Sequence, residues 1–75
     1  MSKPLHTKMK EFRELLTMDQ EQMRKLYQVP YRTYRAWENG TRLSASAQSI
    51  YNILVTIHKM NPIMFEELKR KALEN

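Results

Sequence analysis

The middle of the chain, residues 19–40, reads DQEQMRKLYQVPYRTYRAWENG. Apolar side chains recur in this stretch at helical spacing. Asp19 stands at an N-cap position and a glutamine follows three residues later, which is the pattern of a capping box. Pro30 interrupts the periodicity, and Gly40 supplies the left-handed residue that often ends a helix. The stretch therefore predicts two short helices joined by a three-residue turn, at residues 20–27 and 31–39.

The flanking residues also follow helical periodicity. Leu5, Met9 and Phe12 step by four and by three. Ser44 is a good N-cap for a long helix. Asn61 and the proline that follows it are suited to be the N-cap and the first residue of another helix. No strand is predicted, because period-two alternation is absent. The sequence predicts an all-α, compact five-helix domain that occupies residues 1–75, with helices at residues 5–16, 20–27, 31–39, 45–60 and 62–73.

The composition limits the class of protein. The chain has 75 residues and no cysteine, so we expect one small domain without disulfides or cysteine-based metal sites. Its longest apolar runs, such as residues 53–55, are only three residues long, which predicts neither a membrane span nor a signal peptide. No set of nucleophile, base and acid is visible. We therefore expect a cytoplasmic protein that is not an enzyme and has no cofactor, metal site or membrane partner.

The positive charge is concentrated in one part of the chain. The formal net charge is +5, and residues 24–42 carry five basic side chains against a single acidic one, Glu38. A concentrated cationic patch is typical of a protein that binds a polyanion. Two short helices joined by a tight turn form a helix-turn-helix, at residues 19–40, whose second helix enters the major groove of DNA. Charge and helix pattern together predict a DNA-binding domain.

A longer run, FRELLTMDQEQMRKLYQVPYRTYRAWENGTR at residues 12–42, resembles the Cro/C1-type (XRE family) helix-turn-helix of phage repressors and antitoxins. The features that match are FRELL before a short turn, the capped DQEQ helix start, Val29 in the turn and the ending RTYRAWENG. The likeness covers roughly residues 8–57. It implies a lambda-repressor-like fold and a sequence-specific transcriptional repressor, as in phage repressors, antitoxins that repress their own operon and anti-CRISPR-associated autorepressors.

The resemblance also implies roles for individual residues. Arg13 and Glu38 match a pair that ties the first helix to the third. The positions that would read base edges are Tyr31, Arg32, Arg35 and Ala36. The positions that would meet the DNA backbone are Gln20, Thr33, Asn39, Thr41 and Arg42. Among these, Arg32 is our first choice for a base contact, because an arginine there can bind guanine O6 and N7 bidentately.

Three positions depart from the family's pattern. Gln28 stands where a small residue, often glycine, is usual in the turn, and a positive φ there would cost roughly 1 kcal/mol. Pro30 replaces the usual serine or threonine cap. Tyr31 places a large aromatic ring where a small polar reader is common.

We expect a homodimer that binds an inverted-repeat operator, with half-sites about one helical turn, roughly 34 Å, apart. Its contact is predicted on the last two helices, although the same side chains would equally well close the core of the monomer. The competing hypothesis is a protein-interaction module, either an antitoxin that masks a toxin or an adaptor that does not bind DNA. The residues predicted at the dimer contact are Tyr51, Val55, Ile63, Met64 and Phe65.

Overall fold

The structure is a computed structural model that describes residues 3–74. Over these residues it contains five α-helices and no strand, so the prediction of an all-α chain is confirmed. The predicted boundaries agree with the observed ones to within one residue. The helices are α1 (Leu5–Leu15), α2 (Gln20–Tyr27), α3 (Tyr31–Glu38), α4 (Ala45–Met60) and α5 (Pro62–Glu74).

Local capping explains where the helices begin. Asp19 accepts a hydrogen bond from the backbone N–H of Gln22, whose side chain in turn accepts one from the Asp19 N–H, so the predicted capping box is formed. Ser44 accepts from the N–H of Ala47 at the start of α4. Pro30 precedes α3 in an extended conformation and its side chain makes no cap bond. Each start is therefore determined by residues adjacent in sequence.

The helix ends differ slightly from the predicted ones. Leu16 and Asn39 still have right-handed helical φ and ψ, but they are the C-cap residues of α1 and α3, which therefore end one residue earlier than predicted. Gln28, at the C-cap of α2, has φ 61° and ψ 44°. This is the left-handed conformation that was considered for Gln28 from the sequence. It costs a residue with a Cβ atom roughly 1 kcal/mol.

The helices pack around one core, in a molecule that measures 30 × 29 × 21 Å along its principal axes. Helix α2 packs against α3 and α5, α1 packs against α3 and α4, and α4 also packs against α5. None of the helices in residues 3–74 is both long and apolar enough to cross a membrane. The buried apolar core comprises Met9, Phe12, Met18, Met23, Leu26, Tyr27, Tyr34, Trp37, Ala47, Leu54 and Phe65.

Candidate nucleic-acid interface

Helix α3 has one buried side and one exposed side. Tyr34, Trp37 and Glu38 are buried, and they lie on one side of the helix because three- and four-residue steps return to the same face. The opposite side carries Tyr31, Arg32 and Arg35, which are exposed, and Ala36, which is partly buried. We call these four residues the outer face of α3. The structure thus brings together the four side chains that were predicted to read base edges.

Aromatic packing holds α3 against the domain. The ring of Tyr27, on α2, lies 5.1 Å from that of Tyr34 and 6.1 Å from that of Trp37, measured between centroids. Burial raises the pKa of Tyr27 above its ordinary value, and its hydroxyl has no hydrogen-bond partner among the described residues. Burial, and then the neighbouring Glu38 carboxylate, raise the pKa of Tyr34. Both tyrosines are therefore neutral core residues, and the side of α3 opposite to them is held towards solvent.

An ion pair joins α1 to α3. The Arg13 guanidinium donates to Glu38 from Nε at 2.7 Å and from Nη2 at 3.1 Å, and its Nη1 donates to the Met18 carbonyl at 3.1 Å. The side chains of Arg13 and Glu38 are only 15% and 3% exposed. The hydrogen bond to Glu38 is the main cause that raises the pKa of Arg13. The two residues that the resemblance named as a pair are therefore joined, and the pair lies inside the domain.

Gln20 connects this pair to the outer face of α3. Its amide nitrogen donates to Glu38 at 3.1 Å, and its amide oxygen accepts a long hydrogen bond of 3.4 Å from the Tyr31 hydroxyl. Burial raises the pKa of Glu38, but the hydrogen bonds from Arg13, the neighbouring Tyr34 hydroxyl and the hydrogen bond from Gln20 lower it, and the net pKa lies below the ordinary value. Glu38 is therefore an ionised carboxylate. Gln20, predicted to contact the DNA backbone, has these internal partners and also steadies the Tyr31 ring.

The loop after α3 folds back onto the helix. Gly40 has φ 81°, and a Cβ atom there would lie 3.2 Å from His6 Nδ1, so both conformation and space favour glycine. The backbone N–H and the hydroxyl of Thr41 both donate to the Ala36 carbonyl at 2.9 Å. Arg42 follows with φ 56°, a left-handed conformation that is unfavourable for arginine. The loop is thus held in one conformation beside the outer face of α3.

The four arginines of the basic stretch fall into two groups. Arg24 forms an ion pair with Glu21 at 2.6 Å on α2 and lies beside Gln28 and Ala72 of α5. The side chains of Arg32, Arg35 and Arg42 make no hydrogen bond or ion pair with any of residues 3–74. The sequence counted all these arginines in one patch, but only the second group is available on the side of α3 and its loop. The three unpaired arginines of the stretch are therefore gathered there.

A cavity of about 290 Å³ opens between α3 and this loop. It is lined by Arg32, Thr33, Ala36 and Arg42. Of the residues predicted to contact the DNA backbone, the structure therefore places Thr33 and Arg42 directly beside the outer face. Asn39 and Thr41 are exposed in the same loop. No pattern in the sequence indicated this cavity, because it arises from the way the loop folds back.

The predicted dimer contact requires a correction. Phe65 is only 1% exposed and packs against the rings of Phe12 and His58, so it belongs to the core of the monomer and is not available to a partner. Tyr51 and Val55 are half-buried beside Phe12, in a groove between α1 and α4. Apolar positions on an amphipathic helix cannot be assigned to core or surface before the neighbouring helices are placed, which is why sequence periodicity misassigned Phe65.

Other apolar side chains are exposed on α4 and at the start of α5. Ile63 and Met64, both predicted at the dimer contact, are 80% and 57% exposed. Met60 and Ile53, which the sequence did not single out, are 81% and 57% exposed. Ile53 and Met60 are seven residues apart on α4 and so lie on one side of the helix. The spacing of these residues in the sequence could have indicated this. We call Ile53, Met60, Ile63 and Met64 the α4–α5 apolar surface.

We compared the chain with models of protein families, with curated proteins and with solved structures, and none of the three comparisons gave a match. Function is therefore inferred from the site itself.

Proposed function

We propose that this protein is a helix-turn-helix domain that binds double-stranded DNA, with α3 as the helix that enters the major groove. The observation that carries the proposal is the outer face of α3, where Arg32 and Arg35 are exposed without an internal partner and Arg42 stands beside them. The major groove is about 12 Å wide and admits one helix. A helix that is anchored on one side and cationic on the other fits this use.

The arrangement of α2 and α3 supports this docking. In a helix-turn-helix the first helix crosses the sugar-phosphate backbone while the N-terminal residues of the second reach base edges. Tyr31 and Arg32 are the first two residues of α3, and Arg35 and Ala36 follow one turn later on the same side. Arg32 is proposed to bind guanine, and Arg42 to bind a phosphate of the backbone.

The chemistry of the outer face of α3 favours DNA over a protein partner. Tyr31 is the single large apolar side chain exposed on this helix, and a protein-binding helix typically presents several apolar anchors. The buried Arg13–Glu38 pair leaves the exposed arginines uncompensated. Such a surface attracts polyanions and steers their association.

We further propose a homodimeric repressor that represses its own gene from an inverted-repeat operator. One domain of this size makes few base contacts, and two-fold pairing doubles them. The α4–α5 apolar surface is the proposed contact, since its four side chains are each more than half exposed. The same surface also supports the second candidate function, in which the protein binds another protein, such as a toxin that it masks.

DNA binding is tested by measuring which members of a random duplex library the protein binds. The wild type is compared with Arg32→Ala, Arg42→Ala and the control Lys59→Ala. Lys59 is an exposed cation on α4, away from α3. We expect Arg32→Ala to relax base preference at one position per half-site, by about 1–3 kcal/mol of discrimination. Arg42→Ala should weaken binding to all sequences alike and reduce the salt slope by about 0.9.

The control Lys59→Ala should bind as the wild type does. Unchanged binding in both arginine variants would refute the docking of α3, and equal, sequence-independent losses in both would refute the role of Arg32.

Dimerisation is tested by sedimentation of the wild type, Ile63→Glu and the control Leu15→Glu. Leu15 is also an exposed apolar residue, 68% exposed on α1, so it controls for the charge introduced. We expect Ile63→Glu to be monomeric and to bind a full operator more weakly, while Leu15→Glu remains dimeric. A wild type that stays monomeric at concentrations that saturate the operator would contradict the homodimer and leave the apolar surface to another protein.

A further inference from the structure

The cavity between α3 and the following loop combines two kinds of lining. Ala36 and Thr33 are two of its lining residues; both are partly buried, and the side chain of each carries a methyl group. Arg32 and Arg42 complete the lining, and both are exposed. Arginine side chains present an aliphatic stem and a charged end that prefers water. The cavity therefore offers apolar contact within and positive charge at its edge.

The conformation of Arg42 is a second, independent observation. Its φ of 56° is unfavourable for any residue with a Cβ atom, and its side chain has no partner among residues 3–74. Thr41 is held by two hydrogen bonds to the Ala36 carbonyl, which fixes the loop just before it. The domain thus maintains a strained arginine beside the cavity whose side chain makes no internal hydrogen bond or ion pair, and such strain often marks a residue that acts on a ligand.

This lining matches one nucleotide of DNA better than the others. In the major groove thymine alone among the four bases presents an apolar group, its 5-methyl, and alanine and threonine methyl groups are its usual contacts. Every nucleotide carries an anionic phosphate that suits an arginine. Cytosine presents an amino donor at the corresponding edge, which gains nothing from methyl groups or cations.

We propose that this cavity is a specificity pocket for one thymidine of each half-site. The thymine 5-methyl packs on the methyl groups of Thr33 and Ala36, and the thymidine's phosphate is bound by Arg42. Arg32 is left to read the neighbouring base. The inference rests on the proposed function, because it requires α3 to lie in the major groove. It adds two things to that function: the base that is selected and the assignment of Thr33 as a specificity residue.

The test uses an operator selected from the duplex library, in which each thymine in turn is replaced by uracil. This replacement removes one methyl group and leaves the hydrogen-bonding edge unchanged. We expect affinity to fall about fourfold at one thymine per half-site, the effect of one buried methyl group, and to stay constant at the others. At that position 5-methylcytosine should also bind more tightly than cytosine, because it restores the methyl group.

Variants of the protein show whether Thr33 provides the contact. Thr33→Ser removes the methyl group of the side chain and keeps the hydroxyl, so the preference for thymine over uracil should fall towards one. Thr56→Ser is the matched control, since Thr56 is exposed on α4 and lies outside the cavity lining. Its preference should equal that of the wild type. Circular dichroism establishes that each variant is folded.

The possible outcomes separate the two proposals. Equal affinity for thymine and uracil at every position, or a selected half-site that contains no thymine, would overturn the pocket while DNA binding itself stands. A thymine preference that is unaltered in Thr33→Ser would also overturn it. Failure of the wild type to prefer any duplex sequence would instead overturn the proposed function.

Discussion

Removal of the Arg13 side chain is expected to show how much the buried ion pair contributes to the fold. In Arg13→Met the Glu38 carboxylate loses donors at 2.7 and 3.1 Å and keeps only the Gln20 amide at 3.1 Å. Its side chain is 3% exposed, so water cannot replace the guanidinium. Removing one partner of a buried pair costs about 3–5 kcal/mol. The total free energy of unfolding of a chain this short is about 4–11 kcal/mol, so the loss should be large.

The opposite substitution should cost less. In Glu38→Gln the guanidinium of Arg13 loses its anionic partner. In the wild type, however, the Arg13 side chain is more exposed than that of Glu38, and it keeps its hydrogen bond to the Met18 carbonyl. An unsatisfied partner of this kind costs about 1–3 kcal/mol. The double variant Arg13→Met/Glu38→Gln contains no buried charge, so it should be more stable than Arg13→Met alone. The two single effects are therefore expected to be strongly non-additive.

Urea unfolding followed by circular dichroism measures these differences, with the slope compared among variants to establish two-state behaviour. The pH gives a further check. In Arg13→Met protonation neutralises the unpaired buried carboxylate, so the deficit relative to the wild type should shrink as the pH falls. An Arg13→Met variant within about 1 kcal/mol of the wild type, or single effects that add in the double variant, would refute the account of the pair as a buried charge with its necessary partner.

Substitutions at three further positions and one titration test other features of the structure. Gln28→Gly should raise the free energy of unfolding by about 1 kcal/mol, because glycine adopts the left-handed φ without strain. Gln28→Ala should not raise it, and equal effects of the two substitutions would contradict the strain at this position. Asp19→Ala should lower it by about 1 kcal/mol through loss of the capping box, and no loss in thermal melts would count against that cap. Tyr27→Phe should leave it unchanged or raise it, since the hydroxyl is buried without a partner; a loss above about 1 kcal/mol would indicate a hidden partner. Because the pKa of Glu38 is lowered in the folded state, its ionisation stabilises the wild type at any pH above the unfolded pKa of about 4.3. This stability is lost as the pH falls through the folded pKa. The urea midpoint should therefore drop less in acid for Glu38→Gln than for the wild type.

Helix boundaries were predictable because their causes are local. The capping box at Asp19, the proline at position 30 and the serine at position 44 each act on neighbours within three residues, and all three helix starts are where they were predicted. The burial of Tyr34 and Trp37 on one side of α3 also follows from spacing alone. From these, the direction of the outer face of α3 could be deduced without coordinates.

The sequence alone thus determined the five helices, the capped turns between them and the exposed, basic side of α3, because each of these depends on residues that are near one another along the chain. Tertiary packing decided the rest. It buried Phe65 and placed the loop so that Arg42 lies beside Arg32. These outcomes depend on how the helices and the loop pack together. The periodicity of apolar residues therefore does not predict the exposure of a side chain until the neighbouring elements have been placed.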